Sequence, residues 1–304
     1  MPSLSVIILT HNEEIHIERA IRSVRCVAER IFVVDSGSTD RTREIATASG
    51  AAVLQNAWIN HATQFNWALD NCPITTRWIL RLDADECVSE RLQEEFATRL
   101  DALPADVVGL TVPLWRRFLG RRMLHGGVRE RQLLRVFRTG HGRDEQSWMD
   151  EHIAVTGGRV LALAGPLTDD SLQNLTWWTN KHNNYASREA LEVLLRRSGR
   201  VGGDGAIAGQ ARRVRWMKQS VYYRLPPVFR ALAFFLIRYF FMLGFLDGKE
   251  GLIFHFLQGA WYRALVDAKL YEVERAMRAR GLGFEEAVSA CLQIDLGLAG
   301  SRSG

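Results

Sequence analysis

The feature that most constrains the fold of this chain is an alternation of short apolar runs and amphipathic segments over its N-terminal third. Four of the apolar runs have the length and the β-branched composition of strands, and helices are predicted between them. The predicted strands are Leu4–Leu9, Ile31–Val34, Ala52–Leu54 and Trp78–Leu82. A strand–helix–strand order of this kind predicts an α/β domain with parallel strands joined by right-handed crossovers.

The helices between these strands have local signals of their own. The first has apolar side chains at helical spacing, namely Ile17, Ala20, Ile21 and Val24. The second is predicted to begin at Thr39 or Asp40 and to end at Ser49. Asp40 suits the N-cap position, and Gly50 suits the left-handed position after the last turn. The third is predicted over Gln64 to Asn71.

Polar clusters follow three of the predicted strands. They are Thr10 to Glu14, Asp35 to Asp40, and Asp83 to Glu86. Parallel sheets bind ligands beyond the carboxyl ends of their strands, near a switch in strand order. We therefore expect the three clusters to converge on one crevice.

The third cluster contains two carboxylates one residue apart, Asp83 and Asp85. In an extended segment, side chains two residues apart point to the same side, so both would face one ligand while Ala84 faces away. Oxygen donors of this kind suit Mg²⁺ or Mn²⁺, which take substrate phosphates as further ligands. The triplet therefore predicts a divalent metal site for a diphosphate.

Several other classes of protein lose support from the sequence. No G-x-G-x-x-G follows the first strand and no P-loop motif occurs, which argues against dinucleotide and P-loop sites. The four cysteines are far apart and have no metal-site spacing, which is typical of reduced thiols in the cytoplasm. The apolar run that begins at Leu4 is too short for the core of a signal peptide. We therefore expect a cytoplasmic protein.

The C-terminal part of the chain has a different character. A long helix is predicted over Leu175–Arg197, and Val228 to Leu246 is intensely apolar and aromatic but carries Arg230 and Arg238. We expect this segment to be a helix in a membrane interface, with both arginines reaching toward headgroups; a buried core helix is the alternative. Residues 196–230 include nine basic residues and only one acid, Asp204. This excess of positive charge favours an anionic membrane surface as a partner.

Three segments together resemble the family 2 glycosyltransferases, whose donor-binding domain has the GT-A fold. They are residues 5–14, residues 33–40 and residues 78–86. The resemblance is greatest to bacterial enzymes that build lipopolysaccharide core or capsular polysaccharide. It implies a Rossmann-like, mostly parallel sheet flanked by helices over residues 1–170, with a donor half to about residue 105. A helical, basic and aromatic region would follow over residues 171–304.

The resemblance also implies an activity, which is inverting transfer of a hexosyl group from a nucleotide sugar, expected to be UDP-linked. The acceptor would be a saccharide or a lipid-linked saccharide. Thr10, Asn12, Glu13 and Asp35 would surround the nucleoside. Asp35 at a strand end is well placed to accept a hydrogen bond from a base imide, although it could instead cap the next helix.

The remaining implied site residues concern the pocket and the metal. Gln64 and Asn66 match a Gln-x-Asn element and would line the pocket, unless they lie on a solvated helix surface. Asp85 would be the firmest ligand of Mg²⁺ or Mn²⁺, and Asp83 would hold ribose or metal. Where several family members have a histidine ligand, this chain has Thr168-Asp169-Asp170, so Asp169 is a candidate replacement.

Inverting transfer needs a base that takes the proton from the acceptor hydroxyl. The family places an acidic residue at this distance after the aspartate pair, and here the segment reads Trp148-Met149-Asp150-Glu151-His152. We favour Glu151 and leave Asp150 as the alternative.

Three other functions remain open. A polyprenyl phosphate could be the acceptor. A sugar nucleotidyltransferase would also use paired aspartates, but usually with a glycine-rich basic loop after the first strand. A non-catalytic membrane adaptor would use only the basic and aromatic C-terminal region. We do not expect nucleic acid as a partner, because no recognised motif accompanies the basic residues.

Overall fold

The computed structural model describes residues 2–128, 131–145, 153–198 and 226–296. Their contacts divide the chain into two compact units. Unit 1 is Met1–Met123 with Val128–Gln173, and unit 2 is Leu124–Gly127 with Asn174–Gly304. The chain therefore enters unit 2 briefly at residue 124 before it returns to unit 1.

Unit 1 is built on a mixed sheet that has ten strands within the described residues. All strands of this unit are, in chain order, β1 (Leu4–Thr10), β2 (Arg30–Asp35), β3 (Ala52–Gln55), β4 (Trp78–Asp83), β5 (Glu86–Val88), β6 (Val107–Phe118), β7 (Arg121–Arg122), β8 (Arg131–Arg138), β9 (Gly142–Asp144), β10 (Ile153–Val155), β11 (Arg159–Ala162) and β12 (Leu167–Asp169). The order across the sheet is β3-β2-β1-β4-β8-β6-β12-β5. Strands β7 and β11 pair with β6, and β9 and β10 form a separate hairpin.

The first four strands are parallel, as the sequence predicts. Nearly every side chain of β1 is buried, because helices cover the parallel part of a sheet on both faces. Strand β8 then runs antiparallel between β4 and β6. The helices of unit 1 are α1 (Ile17–Val24), α2 (Thr42–Ala48), α3 (His61–Asn71) and α4 (Glu90–Arg99), with a short 3₁₀ turn at Leu100–Ala102.

The predicted elements of the N-terminal third are confirmed within a few residues, with one exception at the start of α2. The prediction that Asp40 is the N-cap is wrong, because α2 begins later, at Thr42, and its N-cap is Arg41. The Asp40 carboxylate instead accepts hydrogen bonds from the backbone N–H of Thr42 and of Glu14. These bonds lower the pKa of Asp40 below its usual range, against the opposing effect of burial. Asp40 therefore ties the loop after β1 to the loop before α2.

The strand register brings the ends of β1, β2 and β4 together. Thr10 pairs with Asp35, and Leu9 pairs with Asp83. The polar residues that follow these three strands therefore lie along one edge of the sheet, as predicted.

The prediction that Asp83 to Asp85 is extended is wrong. Strand β4 ends at Asp83, Ala84 and Asp85 form a tight turn, and β5 begins at Glu86. The buried methyl group of Ala84 packs in the main apolar core, which fixes the turn. The two aspartates therefore do not share one face of a strand, and their proximity comes from the turn.

Unit 2 is helical in its described part. Its helices are α5 (Leu175–Arg197), α6 (Pro227–Leu236), α7 (Gly248–His255), α8 (Tyr262–Arg280) and α9 (Phe284–Leu292). Two π-helical stretches, Ile237–Phe241 and Phe256–Trp261, and a 3₁₀ turn at Gly244–Asp247 join them. Helix α5 has the predicted bounds, and its buried side chains pack against α8 and α9.

The prediction of one helix over residues 228–246 is wrong. Helix α6 passes into the π-helical stretch, and the chain then turns at Leu243, whose φ of 60° is left-handed. No single helix among the described residues is both long and apolar enough to cross a membrane. One pair, Phe229–Phe241 with Gly244–Arg280, passes such a test on length and composition, but it is bent by 76°.

The prediction that Arg230 reaches toward headgroups is also wrong. Its side chain is buried, and its guanidinium donates to both carboxylate oxygens of Asp267, with 2.7 Å from Nε to Oδ2. Arg238 donates from Nε to the carbonyl oxygen of Gly126 at 2.7 Å. Both arginines therefore hold unit 2 together from within.

The Arg230–Asp267 pair generates a stability prediction. Arg230→Met leaves a buried carboxylate without its partner, and removing one member of a buried pair costs about 3–5 kcal/mol. We expect a markedly lower unfolding midpoint in thermal denaturation. The double variant Arg230→Met/Asp267→Leu should recover most of this loss, because no unpaired charge remains.

The control is Arg197→Met, which removes the partly exposed ion pair between Arg197 on α5 and Glu274 on α8. It should cost no more than about 1 kcal/mol. Equal midpoints for Arg230→Met and Arg197→Met would contradict the prediction.

Candidate active site

Asp35 ends β2 and is the centre of the first half of the site. Its carboxylate is fully buried and accepts hydrogen bonds from the backbone N–H groups of Gly37 (3.0 Å) and Ser38 (2.9 Å). It also accepts from the hydroxyl of Thr10 at 3.3 Å and from that of Ser38. A tight turn follows, in which Gly37 has a φ of 84°. Asp35 therefore sets the shape of the loop after β2.

The loop after β1 is bound to the loop after β2 through both backbone and side chains. Asn12 has a left-handed φ of 56°, which asparagine tolerates better than most residues. Its N–H donates to the Ser38 hydroxyl at 2.9 Å, and its Oδ1 accepts from the Thr39 N–H at 2.9 Å. The Glu13 N–H donates to the Thr42 hydroxyl at 2.7 Å. The two loops therefore form one preorganised surface.

Glu13 has a second partner in a buried histidine. The Nδ1 of His16 lies 2.5 Å from a Glu13 carboxylate oxygen, and Nε2 accepts from the Leu172 N–H at 2.8 Å. A carboxylate only accepts, so Nδ1 carries the proton. Glu13 is thereby coupled through one ring to the segment after β12.

Gln64 and Asn66 lie on α3, and neither is simply solvated. Gln64 is fully buried, donates to the Ser36 hydroxyl at 3.1 Å and accepts from the Asn56 side chain at 2.8 Å. Asn66 exchanges two hydrogen bonds of 3.0 Å with the backbone of Asp144. Gln64 therefore supports the loop after β2, and Asn66 holds β9.

Asp83 is held between two arginines at the end of β4. Its Oδ2 lies 2.8 Å from Nη2 of Arg135, and its Oδ1 lies 3.8 Å from Nε of Arg81. Burial by itself would raise the pKa of Asp83, but the positive charges of Arg135 and Arg81 more than offset it and hold that pKa well below its usual range. Asp83 is therefore a carboxylate at neutral pH, and its side chain remains 31% exposed.

Glu86 lies behind Asp83 and shares the same arginine. Its Oε1 lies 2.8 Å from Nη2 of Arg135, and its Oε2 accepts from the Asp83 N–H at 3.1 Å. Burial raises the pKa of Glu86 above its usual range, against the attraction of Arg135, and the negative charge of Asp83 adds to the rise. The buried Glu86 side chain therefore stabilises the turn by its hydrogen bond to the backbone of Asp83.

Arg81 supports the site from below. Its Nη1 donates to both carboxylate oxygens of Asp144, at 3.1 and 2.9 Å, and both side chains are at least 98% buried. Its Nη2 lies 3.0 Å from Nδ1 of His61. The pair anchors β9 to β4.

Sequence reasoning assigned no individual role to Arg81, Arg135, Glu86 or Asp144. A signal was present for the arginines, since each interrupts an apolar strand, in Leu80-Arg81-Leu82 and Leu134-Arg135-Val136. A buried charge requires a partner. The identity of the partners, however, depends on strand pairing far along the chain.

Asp85 and Asp169 lie on adjoining elements. The Asp85 carbonyl oxygen accepts from Arg19 at 3.3 Å and from the Asp170 N–H at 3.2 Å. Asp169 pairs with Glu86 in the β5–β12 ladder, and its carboxylate lies 3.0 Å from Nε of Arg116. Asp169 therefore lies opposite Glu86, the residue that follows the turn at Ala84 and Asp85, and its carboxylate is already paired with Arg116.

A divalent metal fits this donor set only in part. Asp83 and Asp85 offer hard carboxylate oxygens of the kind that Mg²⁺ and Mn²⁺ prefer. Among the residues that the structure describes, no group of three histidine, cysteine or acidic side chains could hold a metal ion. A metal here would therefore complete its shell with ligand oxygens and water. The base candidates Asp150 and Glu151 lie outside the described residues.

Comparison with known proteins finds glycosyltransferases among the relatives of this chain. A protein of Rhizobium meliloti named lipopolysaccharide core biosynthesis glycosyltransferase LpsC is 29% identical over 287 residues, which cover 91% of this chain and 94% of that protein. An uncharacterized glycosyltransferase of Rickettsia bellii is 45% identical over 92 residues, which cover 30% of this chain. The match spans only 31% of that relative's length.

Solved structures agree on the fold. The mannosyltransferase PcManGT from Pyrobaculum calidifontis, in complex with GDP-Man and Mn²⁺, superposes with a TM-score of 0.50 at 15% identity. The superposition covers 89% of this chain and 87% of that one, so the two share a GT-A-like fold.

The profile of Glycosyl transferase family 2 matches residues 5–164, which is more than half of the chain. This chain is therefore a member of glycosyl transferase family 2.

Proposed function

We propose that the protein is a metal-dependent inverting glycosyltransferase that moves a sugar from a nucleotide sugar to a saccharide or lipid-linked acceptor. One observation carries the proposal. The preorganised loops after β1 and β2 and the ionised Asp83 at the end of β4 lie along one sheet edge. Such an edge offers polar groups for a nucleoside on one side and carboxylates for a metal-bound diphosphate on the other.

The nucleoside would lie against the loops shaped by Asp35 and Asn12. Within the described part of the chain, the hydrogen bonds to the Asp35 carboxylate come from its own loop and from Thr10. A contact between Asp35 and the base imide would therefore require the hydroxyl of Thr10 or Ser38 to turn away. Otherwise Asp35 acts on the nucleoside through the loop that it organises.

Asp85 and Asp83 would hold Mg²⁺ or Mn²⁺, with Asp169 as a candidate further ligand. When bound, the metal would neutralise the charge that develops on the leaving diphosphate. Arg135 and Arg81 keep Asp83 ionised and in place before any ligand arrives. Glu151, or else Asp150, is proposed to take the proton from the acceptor hydroxyl.

The likeness to LpsC supports an acceptor in lipopolysaccharide core or a related envelope polysaccharide, since it extends over nearly the whole of both chains. The donor is proposed to be UDP-linked. PcManGT was solved with GDP-Man, so the nucleotide has to be tested directly.

The experiment is a donor-hydrolysis screen over UDP-, GDP- and dTDP-sugars, with Mn²⁺ and with a chelator. We expect turnover of a UDP-sugar only with the metal. Asp85→Ala should lower that turnover by about 10²–10³, the range for losing one group that stabilises charge in a transition state.

Asp101→Ala is the control, because that carboxylate is half exposed in a surface ion pair with Arg77. It should leave turnover unchanged. Metal-independent turnover, or an Asp85→Ala variant as active as Asp101→Ala, would refute the proposal.

We further propose that the protein acts at the cytoplasmic face of a membrane through unit 2. Many large apolar side chains of α6, of the stretch after it and of α7 are exposed, namely Phe229, Leu232, Leu236, Ile237, Phe240, Phe241, Met242, Leu243, Phe245, Leu246, Leu252 and Ile253. Monomeric soluble proteins rarely expose apolar patches this extensive. Six basic residues between 200 and 224, against the single acid Asp204, supply the complementary charge for anionic lipid.

Flotation with vesicles of phosphatidylcholine and phosphatidylglycerol tests this attachment. Phe240→Ser/Phe241→Ser should lower vesicle binding by at least tenfold, because burying each ring is worth about 1.5–3 kcal/mol. Tyr271→Ser is the matched control, since that exposed aromatic lies on α8 and outside the apolar surface. Unchanged flotation of the double phenylalanine variant would contradict the proposal.

A further inference from the structure

Unit 2 contains a buried carboxylate that the proposed reaction does not use. Asp247 is only 2% exposed, at the end of the 3₁₀ turn before α7. It accepts hydrogen bonds from the backbone N–H groups of Leu124, at 3.1 Å, and His125, at 2.9 Å. A third comes from Nδ1 of His125, 2.7 Å from Oδ1. Asp247 therefore fixes the loop at residues 124–127 and the ring of His125 together.

These bonds determine what His125 can offer to a ligand. A carboxylate only accepts, so Nδ1 carries the proton, and Nε2 of the neutral ring is an acceptor. Nε2 makes no hydrogen bond within the part of the chain that the structure describes, and the side chain is 34% exposed. The result is an oriented imidazole with its acceptor nitrogen at the surface, as in a catalytic or binding dyad.

A second histidine lies beneath this dyad. His255 is fully buried, and neither of its ring nitrogens finds a hydrogen-bond partner among the described residues. Its ring is tightly enclosed, because a Cβ atom at Gly126 would lie 2.1 Å from it and one at Gly244 would lie 2.6 Å from it. Burial lowers the pKa of His255 to about 4, and the charge of Arg238 acts in the same direction.

The neutral state of His255 has a consequence for Asp247. The nearest approach of the two is 3.9 Å, from Nε2 to Oδ2. At this distance His255 makes no hydrogen bond to the carboxylate, and because its ring is uncharged at neutral pH it forms no ion pair with it. An unsatisfied buried polar group costs free energy, so its presence calls for an explanation.

The backbone on both sides of Asp247 and His255 departs from regular α-helix. Leu243 has a left-handed φ of 60°, and the two π-helical stretches lie on either side of α7 and its preceding turn. Strained residues and π-bulges cluster at functional sites. These features are independent of the hydrogen bonds of Asp247, and they mark the same segment.

Exposed apolar side chains border the dyad directly. Leu124 precedes His125 and is exposed, as are Met242 and Leu243. The Gly126 N–H donates to the Met242 carbonyl oxygen at 2.8 Å, and a Cβ atom at Gly127 would lie 2.8 Å from the Met242 methyl group. Nε2 of His125 therefore belongs to a residue that is flanked by exposed apolar side chains, which are suited to contact a hydrocarbon chain.

We propose that His125, oriented by Asp247, is the polar contact of an amphiphile-binding site in unit 2. Its Nε2 accepts a hydrogen bond from a hydroxyl of the headgroup, and Leu124, Met242 and Leu243 contact the apolar chain. The ligand class is a hydroxylated amphiphile. That its headgroup is a saccharide, and that it is a lipid-linked acceptor, rests on the proposed function.

Two substitutions separate a binding role from a structural one. In His125→Asn the amide nitrogen takes the place of Nδ1, so the bond to Asp247 is kept and the outward acceptor is lost. In His125→Gln the amide reaches the place of Nε2, so the outward group is kept and the bond to Asp247 is lost. A purely structural histidine would be damaged by the second change and not by the first.

The probe is monomeric octyl glucoside, and binding to the full-length protein is measured by calorimetry. His125→Asn should weaken binding about fivefold, the worth of one hydrogen bond, and His125→Gln should stay within about twofold of wild type. An octyl sulfobetaine, which has the same chain and no hydroxyl, should bind all three proteins alike.

The inference is overturned if wild type does not bind octyl glucoside, if His125→Asn binds it as wild type does, or if both variants lose binding equally. Should His125→Gln fail to fold, His125→Asn against wild type still decides, because it retains the Asp247 bond. No nucleotide sugar or metal is present in this experiment. Its failure would leave the donor-hydrolysis result standing, and the reverse also holds.

Discussion

The candidate site depends on a set of buried charges that neutralise one another at the end of β4. Arg81 and Arg135 come from neighbouring antiparallel strands, and between them they contact Asp83, Glu86 and Asp144. An isolated buried charge would be expelled or would lose its ionisation. Here each arginine has a carboxylate partner, so the strand that carries Asp83 can be buried while Asp83 itself remains ionised. The ionised carboxylate is what a divalent cation and a diphosphate require.

A second constraint acts on the nucleoside side and has a different physical origin. Among the described residues, Asp35 has one ion pair, a long one of 3.8 Å from Nε of Arg43. Its carboxylate is stabilised by backbone N–H groups and hydroxyls, which are dipoles fixed by the fold. Fixed dipoles lose little entropy when a ligand arrives, since they are already oriented. The loops after β1 and β2 therefore need little rearrangement to accept a nucleoside.

Sequence patterns within single elements were sufficient to predict the parallel strands of unit 1 and the first helix of unit 2. The positions and parallel direction of the first four strands, the bounds of α5 and the convergence of Thr10, Asp35 and Asp83 follow from periodicity and from the rules of parallel sheets. The turn at Ala84 could not be predicted this way, because it depends on a methyl group that packs into a core built from distant elements. The partner of Arg81 is 63 residues away in β9. No periodicity within a single element identifies such a partner.

The arginines of α6 and of the stretch after it show the same limit. From composition alone, an arginine in an aromatic helix suggests a charge reaching for water or headgroups. Arg230 instead has an acidic partner 37 residues later, on α8. The choice between the two outcomes depends on whether a carboxylate lies across the helix interface, and that information is not contained in the helix. Helices α8 and α9 together carry five aspartates and glutamates, and packing decides which of them pairs with Arg230.

Unit 2 combines two properties that are costly when they occur separately. Its apolar surface loses free energy in water, and its buried Asp247 and His255 lose the solvation of polar groups. Asp247 recovers its loss through three hydrogen bonds from residues 124–125, a segment that the chain delivers directly after β7. The apolar surface has no such compensation within the described residues. A ligand or surface that is apolar in one part and hydroxylated in another would satisfy both Nε2 of His125 and the exposed side chains beside it, which neither water nor hydrocarbon alone can do.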